Sequence, residues 1–442
     1  MIETIYALAS APGRAGVSVL RVSGPLAKDS LSALSNESLP GPRQATLRTL
    51  RSPDSGQPID SAIVIYFASP ASFTGEDVVE YHLHGSPAVI RMLLNVLAAQ
   101  PGHRLAAPGE FTRRGFENGK MDLTEAEAIA DLINAETELQ QAQAFAQMTG
   151  ALGRLYHGWA DTLTRALAHL EADLDFPDED LPDGVANDVL PVLFTLEQDI
   201  TAHLNDNRRG EMLRDGVHIA IIGAPNAGKS SLINALAQRD VAIVSEHAGT
   251  TRDVIEVHMN LGGYPVILAD TAGLRPDQLS NDSHGLIEGE GIRRALDRAQ
   301  NADLKILLFD ATLLPDLDPP TKALMDAKSI VVMNKADRAT LVVPGLGISA
   351  LMGQGLDQLM AEIITRIEER VGRRDTPSLT RQRHRTALKE CHNALTRAMQ
   401  VSSPELMAED VRMALRALGR ITGRVDVEDL LDIIFRDFCI GK

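Results

Sequence analysis

The sequence predicts a multi-domain α/β protein with an N-terminal α+β domain, a discontinuous helical-bundle domain and an inserted α/β domain with a mostly parallel sheet. Its 442 residues suggest about three domains. Strand-like runs with Gly/Pro turns fill the first part of the chain, whereas short apolar strands alternate with glycine loops and helices from Val217 onward. Helical patterns lie on both sides of this second region, as expected if it is inserted into one helical domain.

The N-terminal domain is predicted to span residues 1–120. Val17–Val22 and Ser61–Phe67 are apolar runs typical of strands, and Ala88–Ala99 has the pattern of a helix. Clusters of Pro, Ser and Gly between them read as loops. This mixture predicts an α+β fold.

The helical domain is predicted to combine residues 121–213 with residues 377–442. Thr124 and Glu127 fit a capping box at the start of its first helix. The run 171–183 holds seven acidic residues and no basic one, which fits either a metal site or a solvated helix end and loop.

The inserted domain, residues 214–376, opens with a phosphate-binding pattern. An apolar strand leads into Gly223-x-x-x-x-Gly228-Lys229-Ser230 and then into a helical segment. Glycines let backbone N–H groups curl around phosphate, and the N-terminus of the next helix favours an anion. We expect Lys229 to reach the β- and γ-phosphates and Ser230 to bind Mg²⁺.

Downstream motifs indicate that the nucleotide is GTP. Asp270–Gly273 ends an apolar strand and suits the Mg²⁺ shell and the γ-phosphate. Asn334–Asp337 ends another strand, and an Asp carboxylate there can accept both the N1–H and the 2-amino hydrogens of guanine, which adenine does not offer in that arrangement. A backbone N–H at Ser349–Ala350 is placed to meet guanine O6.

The group that orients the attacking water is less evident from these motifs. Leu274 stands where Ras-like enzymes carry a glutamine, and an apolar side chain cannot orient water. The loop Gly249–Asp253 supplies a hydroxyl for Mg²⁺. Asn226 adds an oxygen ligand near the β- and γ-phosphates, where a monovalent cation could supply the charge that an arginine finger gives elsewhere.

Composition limits the classes of partner. A formal net charge of −17 and an aromatic content of 4% argue against a broad phosphate-gripping surface and against a stacked-ring platform for single strands. Cys391 and Cys439 are the two cysteines and provide neither a disulfide framework nor a four-cysteine zinc site. No segment has the apolar length of a membrane helix, so we expect no membrane span. Glu3 precedes the first apolar run, where a secretory signal needs positive charge, so we expect a cytoplasmic protein.

Three further stretches, Ser72–Gly85, Ala107–Leu123 and Phe438–Lys442, together with the motifs between them, resemble the tRNA modification GTPase MnmE (TrmE) family. The resemblance implies an N-terminal domain that binds folate and dimerises, and a GTPase domain whose K⁺-dependent pairing across the homodimer drives hydrolysis. It also implies an FAD-dependent partner, MnmG, that forms a heterotetramer with the chain. The pair would install an aminomethyl or carboxymethylaminomethyl group at C5 of the wobble uridine of tRNA, using a 5-formyl or 5,10-methylene tetrahydrofolate derivative.

Matched residue by residue, the resemblance also implies which residues bind folate, the cations and the nucleotide. The implied folate contacts are Arg21, Glu80, Lys120 and Lys442. The implied K⁺ ligands are Asn226, Ser245, His247 and Thr250, and the implied Mg²⁺ ligands are Ser230 and Thr251. The candidate nucleotide contacts are Asn226, Ala227, Gly228, Lys229, Ser230, Ser231, Ser245, Thr250, Thr251, Asp270, Thr271, Ala272, Gly273, Asn334, Lys335, Asp337, Ser349 and Ala350. Glu288 matches the catalytic glutamate that orients water, with Glu290 as its competitor; Lys229 is the second catalytic candidate.

Other residues leave two interpretations open. Cys439 is either a catalytic nucleophile near the folate or a conformational chain-end cysteine, whereas Cys391 fits a core position. His82 and His84 alternate on a strand and fit packing or folate-side contacts better than a metal pair. The basic run Arg381–Arg385 fits either a tRNA phosphate contact or a solvated helix face.

A second function class also stays open at this point. A regulatory GTPase switch, for instance a ribosome-assembly factor like Era or Der, would use the same nucleotide motifs. Those proteins carry a KH module or two GTPase domains, and neither is readable here. Folate binding by the N-terminal domain would separate the two classes.

Overall fold

The computed structural model describes residues 3–175, 185–239, 242–243, 256–270, 302–339, 343–372, 377–425, 428–436 and 438–441. The chain divides into two compact units. The first joins Met1–Ala130, Met148–Asp161 and Leu415–Lys442, and the second joins Asp131–Gln147 and Thr162–Ala414. The predicted domain limits at residues 120, 213 and 376 stay predictions. In the part of the chain that the structure describes, no helix combines the length and apolarity needed to cross a membrane.

A six-stranded sheet forms the centre of the first unit. Its strands are β1 (Thr4–Leu8), β2 (Ala15–Ser23), β3 (Thr46–Arg51), β4 (Pro58–Phe67), β5 (Val78–Gly85) and β6 (His103–Leu105). The strand order is β3-β4-β5-β2-β1-β6, and every neighbouring pair is antiparallel except β1 and β6. The predicted strands within β2 and β4 are confirmed.

Buried and exposed side chains alternate along strand β4 of this sheet. Along β4, Ala62, Val64 and Tyr66 are buried, while Ile63 between them is 46% exposed, so the strand alternates between an inner and an outer face. The inner face packs into one apolar cluster with the helices α1 (Ala27–Ser35) and α2 (Pro87–Ala99). The predicted helix at residues 88–99 is therefore confirmed.

The predicted capping box is wrong by two residues. The helix α4 begins at Leu123, and the Asp122 carboxylate accepts the Glu125 N–H at 2.9 Å. The Glu125 carboxylate in turn accepts the Asp122 N–H at 2.8 Å. Thr124 donates its hydroxyl to Asp122 at 2.7 Å. Asp122 takes the capping place because an aspartate caps a helix as well as a threonine does.

Helices dominate the chain between and after the sheets. In chain order they are α3 (Glu110–Glu117), α4 (Leu123–Ile133), α5 (Glu138–Met148), α6 (Ala151–Asp175), α7 (Val185–Leu204), α8 (Arg209–Asp215), α9 (Lys229–Ala237), α10 (Pro319–Ala323), α11 (Leu356–Val371), α12 (Gln382–Ala398), α13 (Pro404–Thr422) and α14 (Glu428–Arg436). The helical patterns predicted on both sides of the α/β region are therefore present.

A seven-stranded sheet forms the centre of the second unit. Its strands are β7 (Val217–Ile222), β8 (Ala242–Ile243), β9 (Glu256–Leu261), β10 (Tyr264–Asp270), β11 (Leu304–Asp310), β12 (Ser329–Asn334) and β13 (Leu346–Gly347). The order is β13-β12-β11-β7-β10-β9-β8, with parallel pairing from β13 through β10 and antiparallel pairing at β9 and β8. This mostly parallel sheet confirms the predicted fold class.

Both faces of this sheet are covered, which explains the apolar runs Ile219–Ile222 of β7, Ile306–Phe309 of β11 and Ile330–Met333 of β12. Along β7, Ile219 and Ile221 lie in one core cluster, while Ala220 and Ile222 lie in another. The carboxyl ends of the parallel strands meet at one edge, which is where ligands bind in such folds.

Candidate functional site

The phosphate loop connects β7 to α9 at the carboxyl edge of the sheet. Asn226 and Gly228 adopt left-handed backbone conformations, with φ of 66° and 100°, and α9 begins at Lys229. The Lys229 ammonium donates to the Gly223 and Ala224 carbonyls at 2.8 and 3.0 Å, so it lies across the loop. A cation above a glycine-rich turn at a helix N-terminus is the arrangement that phosphates favour.

One buried side chain connects three of the predicted motifs. Asn334, which is 3% exposed, donates its Nδ2 to the Ala227 carbonyl at 2.8 Å and accepts the Ala350 N–H at 3.0 Å. A Cβ at Gly228 would lie only 2.1 Å from that Nδ2, so only glycine fits beside Asn334. The phosphate loop and the Ser349–Ala350 segment are therefore held in fixed register.

The base-binding side of the site lies at the end of β12. Asp337 lies in a short 3₁₀ helix, Ala336–Arg338, and its carboxylate is 3.6 Å from Arg338 Nε. Ser349 is buried, its N–H donates to the Gln354 carbonyl at 2.9 Å, and its hydroxyl accepts the Met352 N–H at 3.2 Å. These bonds fix the Ser349–Gln354 loop internally, and the Ala336 N–H, which donates to the Ile348 carbonyl at 3.0 Å, holds that loop next to the Asp337 segment.

Asp310 is a site residue that the sequence analysis missed. It ends β11 in register with Asn334, and its carboxylate lies 2.6 Å from the Lys335 ammonium. Burial alone would raise the pKa of Asp310, but hydrogen bonds from Lys335 and Thr312 outweigh it and hold that pKa below its ordinary value. An acidic residue ending an apolar strand, at the same edge as the Asn334 motif, was the available signal.

Several predicted residues are only partly described. Ser230 and Ser231 lie exposed on the first turn of α9. Asp270 ends β10 in register with Ile221 of β7, which brings its backbone to the same edge as the phosphate loop. The predicted contacts that lie outside the described residues are Ser245, His247, Thr250, Thr251, Thr271, Ala272, Gly273, Glu288, Glu290 and Lys442.

A second cluster lies on the sheet of the first unit. Arg21 on β2 pairs in register with Glu80 on β5, with 2.8 Å between Nη2 and Oε1. The guanidinium lies over the rings of Phe73 and Phe111, at 5.4 and 5.6 Å from their centroids. Glu80 also lies 3.6 Å from the His82 ring. The cluster thus offers a carboxylate acceptor, a cation and two aromatic faces.

Lys120 contacts the chain segment that leads to Phe73 of this cluster. Its ammonium donates to the Pro70 carbonyl at 2.9 Å, three residues before Phe73. A cavity of about 650 Å³ opens beside it, lined in part by Gly119, Arg154 and Arg424. The first unit therefore has room for a small organic ligand next to Lys120.

The C-terminal tail lies against the start of the chain. Ile440 bridges to Pro108, and the Gly109 N–H donates to the Cys439 carbonyl at 3.3 Å. A Cβ at Gly441 would lie 2.1 Å from the Leu8 carbonyl oxygen. Ala7, the neighbour of Leu8, pairs with Arg21 of β2. The tail is thus packed beside the strands that carry the Arg21 cluster.

The two cysteines differ in environment. Cys391 is fully buried, as predicted, and burial raises the pKa of its thiol to about 12. Cys439 is exposed. His84 lies 2.8 Å from Asp60 and, among the described residues, no cluster of His, Cys, Asp and Glu is suited to a metal ion.

The basic run Arg381–Arg385 is partly buried within the second unit, with His384 and Arg385 buried and Gln382 exposed. Arg385 is buried and binds Asp206 at 2.6 Å and Glu211 at 2.8 Å, and Arg381 binds Asp131 at 2.7 Å. Neither a tRNA contact nor a solvated face describes Arg385. These acidic partners stabilise the run, since burying a cation without a partner costs several kcal/mol of folding free energy.

Comparison with known proteins gives full-length matches. A family described as "MnmE helical domain" matches residues 123–439, and one described as "GTP-binding protein TrmE N-terminus" matches residues 4–120. A protein named tRNA modification GTPase MnmE from Parvibaculum lavamentivorans is 54% identical and covers 100% of both chains. Its counterpart from Paramagnetospirillum magneticum is 53% identical, again over 100% of both chains.

Among solved structures, the G domain of the T. maritima FeoB iron transporter is 27% identical over 34% of this chain and 98% of its own. Its TM-score is 0.25. The two family matches together run through both compact units, and the full-length relatives share about half of their residues with this chain. The chain therefore belongs to the MnmE family of tRNA modification GTPases.

Proposed function

We propose that this chain binds and hydrolyses GTP as one component of a system that modifies the wobble uridine of tRNA at C5. The observation that carries the nucleotide part is the Asn334 side chain, which ties the phosphate loop to the Ser349–Ala350 segment through hydrogen bonds of 2.8 and 3.0 Å. Through that connection, the site offers one nucleotide a segment that binds its phosphates and a segment that binds its base. Family membership supports the tRNA part.

Guanine selectivity is assigned to Asp337. Its carboxylate would accept the N1–H and 2-amino hydrogens of guanine, and an asparagine there would instead suit the 2-oxo group of xanthine. We expect Asp337→Asn to lose GTP affinity and to gain XTP affinity. Asp318→Asn is the matched control, because Asp318 caps α10 and an asparagine caps a helix equally well. Unchanged preference for GTP in Asp337→Asn would contradict the assignment.

Hydrolysis is proposed to use Lys229, Mg²⁺ held by Ser230 and Thr251, and K⁺ held by Asn226, Ser245, His247 and Thr250. The described part of this set fits, since Asn226 bends the phosphate loop in a left-handed conformation and Ser230 lies on the first turn of α9. Bound cations would supply positive charge at the phosphates. GTP turnover should be faster in KCl than in NaCl at equal ionic strength, and equal rates would remove K⁺ from the proposal.

The water-orienting role is proposed for Glu288. Glu288→Gln should retain GTP binding and lose turnover, because the amide cannot accept a proton from water. Glu290→Gln is the matched variant two residues away. Normal turnover in the first and loss in the second would reassign the role to Glu290.

The Arg21 cluster is proposed to bind the tetrahydrofolate derivative, with Lys120 and Lys442. The donor set fits, because a pterin carries the same 2-amino and ring N–H edge as guanine and Glu80 is a carboxylate acceptor for it. The Phe73 and Phe111 rings lie beside the same cluster. Arg21→Met should abolish binding of 5-formyltetrahydrofolate, whereas Arg51→Met, on the exposed end of β3, should leave it intact.

The assembly is proposed to be a homodimer that joins the FAD-dependent MnmG protein in a heterotetramer in the cytoplasm. With a net charge of −17, the chain would contact tRNA locally or through a more basic partner. The test is mass spectrometry of wobble uridines from cells lacking this chain. Loss of the aminomethyl or carboxymethylaminomethyl group supports the proposal, and an unchanged nucleoside profile contradicts it.

A further inference from the structure

Asp310 is held firmly at the carboxyl end of β11. Its Oδ1 accepts the Thr312 N–H at 3.0 Å and the Thr312 hydroxyl at 2.7 Å, and its Oδ2 lies 2.6 Å from the Lys335 ammonium. Its side chain is 14% exposed. Both carboxylate oxygens are therefore engaged, one by its own turn and one by the neighbouring strand's motif.

Lys335 adopts an unusual backbone conformation. Its φ and ψ are 62° and 31°, a left-handed geometry that residues with a side chain rarely adopt. It comes directly after the buried Asn334 and directly before the 3₁₀ helix Ala336–Arg338 that carries Asp337. The conformation of Lys335 therefore sets the direction in which Asp337 leaves the sheet.

We propose that Asp310 is a specificity-determining positioning residue: by fixing the Lys335 ammonium, it holds the bend that presents Asp337 to the 2-amino edge of guanine. This inference rests on the proposed binding of GTP. Asp310 acts through Lys335 and touches no base itself. Loss of the Asp310 carboxylate should therefore change the preference between bases more than it changes the binding of the phosphates.

The same two strands carry a matched pair at their opposite ends. Lys305, at the start of β11, lies 2.8 Å from Asp326, which precedes β12 and also accepts the Ser329 hydroxyl at 2.9 Å. This pair has the same chemistry but lies at the amino edge, away from the phosphate loop. Asp326→Asn is thus a control for the loss of one Asp–Lys pair in this sheet.

The test compares GTP with ITP, which has the N1–H of guanine but lacks the 2-amino group. Asp310→Asn should weaken GTP binding roughly 5- to 10-fold, the loss expected for a charge-assisted hydrogen bond at a partly exposed site. ITP binding should weaken less, so the preference for GTP over ITP shrinks. Asp326→Asn should leave both affinities and their ratio unchanged.

A second variant separates positioning from stability. Lys335→Met keeps the apolar stem and removes the ammonium, so it should reproduce the reduced GTP preference. The double variant Asp310→Asn/Lys335→Met should be no worse than either single one. An unchanged GTP-to-ITP ratio in Asp310→Asn, or additive losses in the double variant, would overturn the inference. A wild-type chain that fails to prefer GTP over ATP would instead overturn the proposed function.

Discussion

Replacing Asn334 with alanine tests the connection at the centre of the nucleotide site. The side chain is 3% exposed and makes two hydrogen bonds, to the Ala227 carbonyl at 2.8 Å and from the Ala350 N–H at 3.0 Å. Alanine removes both bonds and leaves those two backbone groups without their partner. The variant therefore loses packing register as well as hydrogen bonds.

The size of the effect follows from these two bonds. A buried group that loses its partner costs about 1–3 kcal/mol, so two such groups cost about 2–6 kcal/mol of unfolding free energy. For a unit of this size, that corresponds to a fall in melting temperature of roughly 5–15 °C. GTP affinity should fall at least about tenfold, because its phosphate and base ends are no longer held together.

Thermal melting followed by circular dichroism and GTP binding by titration calorimetry measure the two effects. Asn260→Ala is the matched control, since the Asn260 side-chain oxygen accepts the Gly263 N–H at 2.9 Å in the turn between β9 and β10. That control should cost little stability and leave GTP affinity unchanged. A melting temperature and an affinity for Asn334→Ala equal to those of the wild type would refute the reasoning.

Three further predictions follow from the described residues. Gly228→Ala should lower both stability and GTP affinity, because its Cβ would lie 2.1 Å from Asn334 Nδ2 at a φ of 100°; normal GTP binding would contradict this. A thiol reagent should modify Cys439 in the native chain and reach Cys391 only after unfolding, since burial raises the pKa of the Cys391 thiol to about 12; two rapidly reacting thiols would be the contrary result. Burial lowers the pKa of His203 to about 4 from 6.5. The contribution of the neutral imidazole to the free energy of unfolding is therefore fully present above pH 6.5 and is lost as the pH falls towards 4. His203→Gln should flatten stability over that range, by roughly 3 kcal/mol at most, and an unaltered pH profile of unfolding would be inconsistent with it.

Much of the architecture could be predicted because it follows from local patterns. The apolar runs Ser61–Phe67 of β4 and Ile219–Ile222 of β7, the latter followed by a glycine loop and a helical pattern, identify the strands of the α+β region and of the parallel α/β region. The Asn334 motif could be placed at the carboxyl edge because each parallel strand ends there. These predictions need only a few consecutive residues.

What the sequence did not reveal depends on partners far apart in the chain. Arg385 pairs with Asp206 and Glu211, more than 170 positions away, so a local reading assigns a basic run to solvent. Asp310 ends an apolar strand, which was a signal in the sequence, but its pairing with Lys335 is visible only once β11 and β12 lie side by side. The shifted helix cap shows that two candidate capping residues two positions apart, Asp122 and Thr124, cannot be ranked from spacing alone.

The placement of the last residues has a consequence for how the protein is made. Gly441 packs against the Leu8 carbonyl and Ile440 bridges to Pro108, so the first unit joins a segment that is translated before the second unit to one that is translated after it. Translation of the intervening second unit is finished before that tail leaves the ribosome. The first unit therefore gains its Gly441 and Ile440 contacts only after the second unit has been translated. A chain that lacks residues 438–441 would lose these contacts at Leu8 and Pro108.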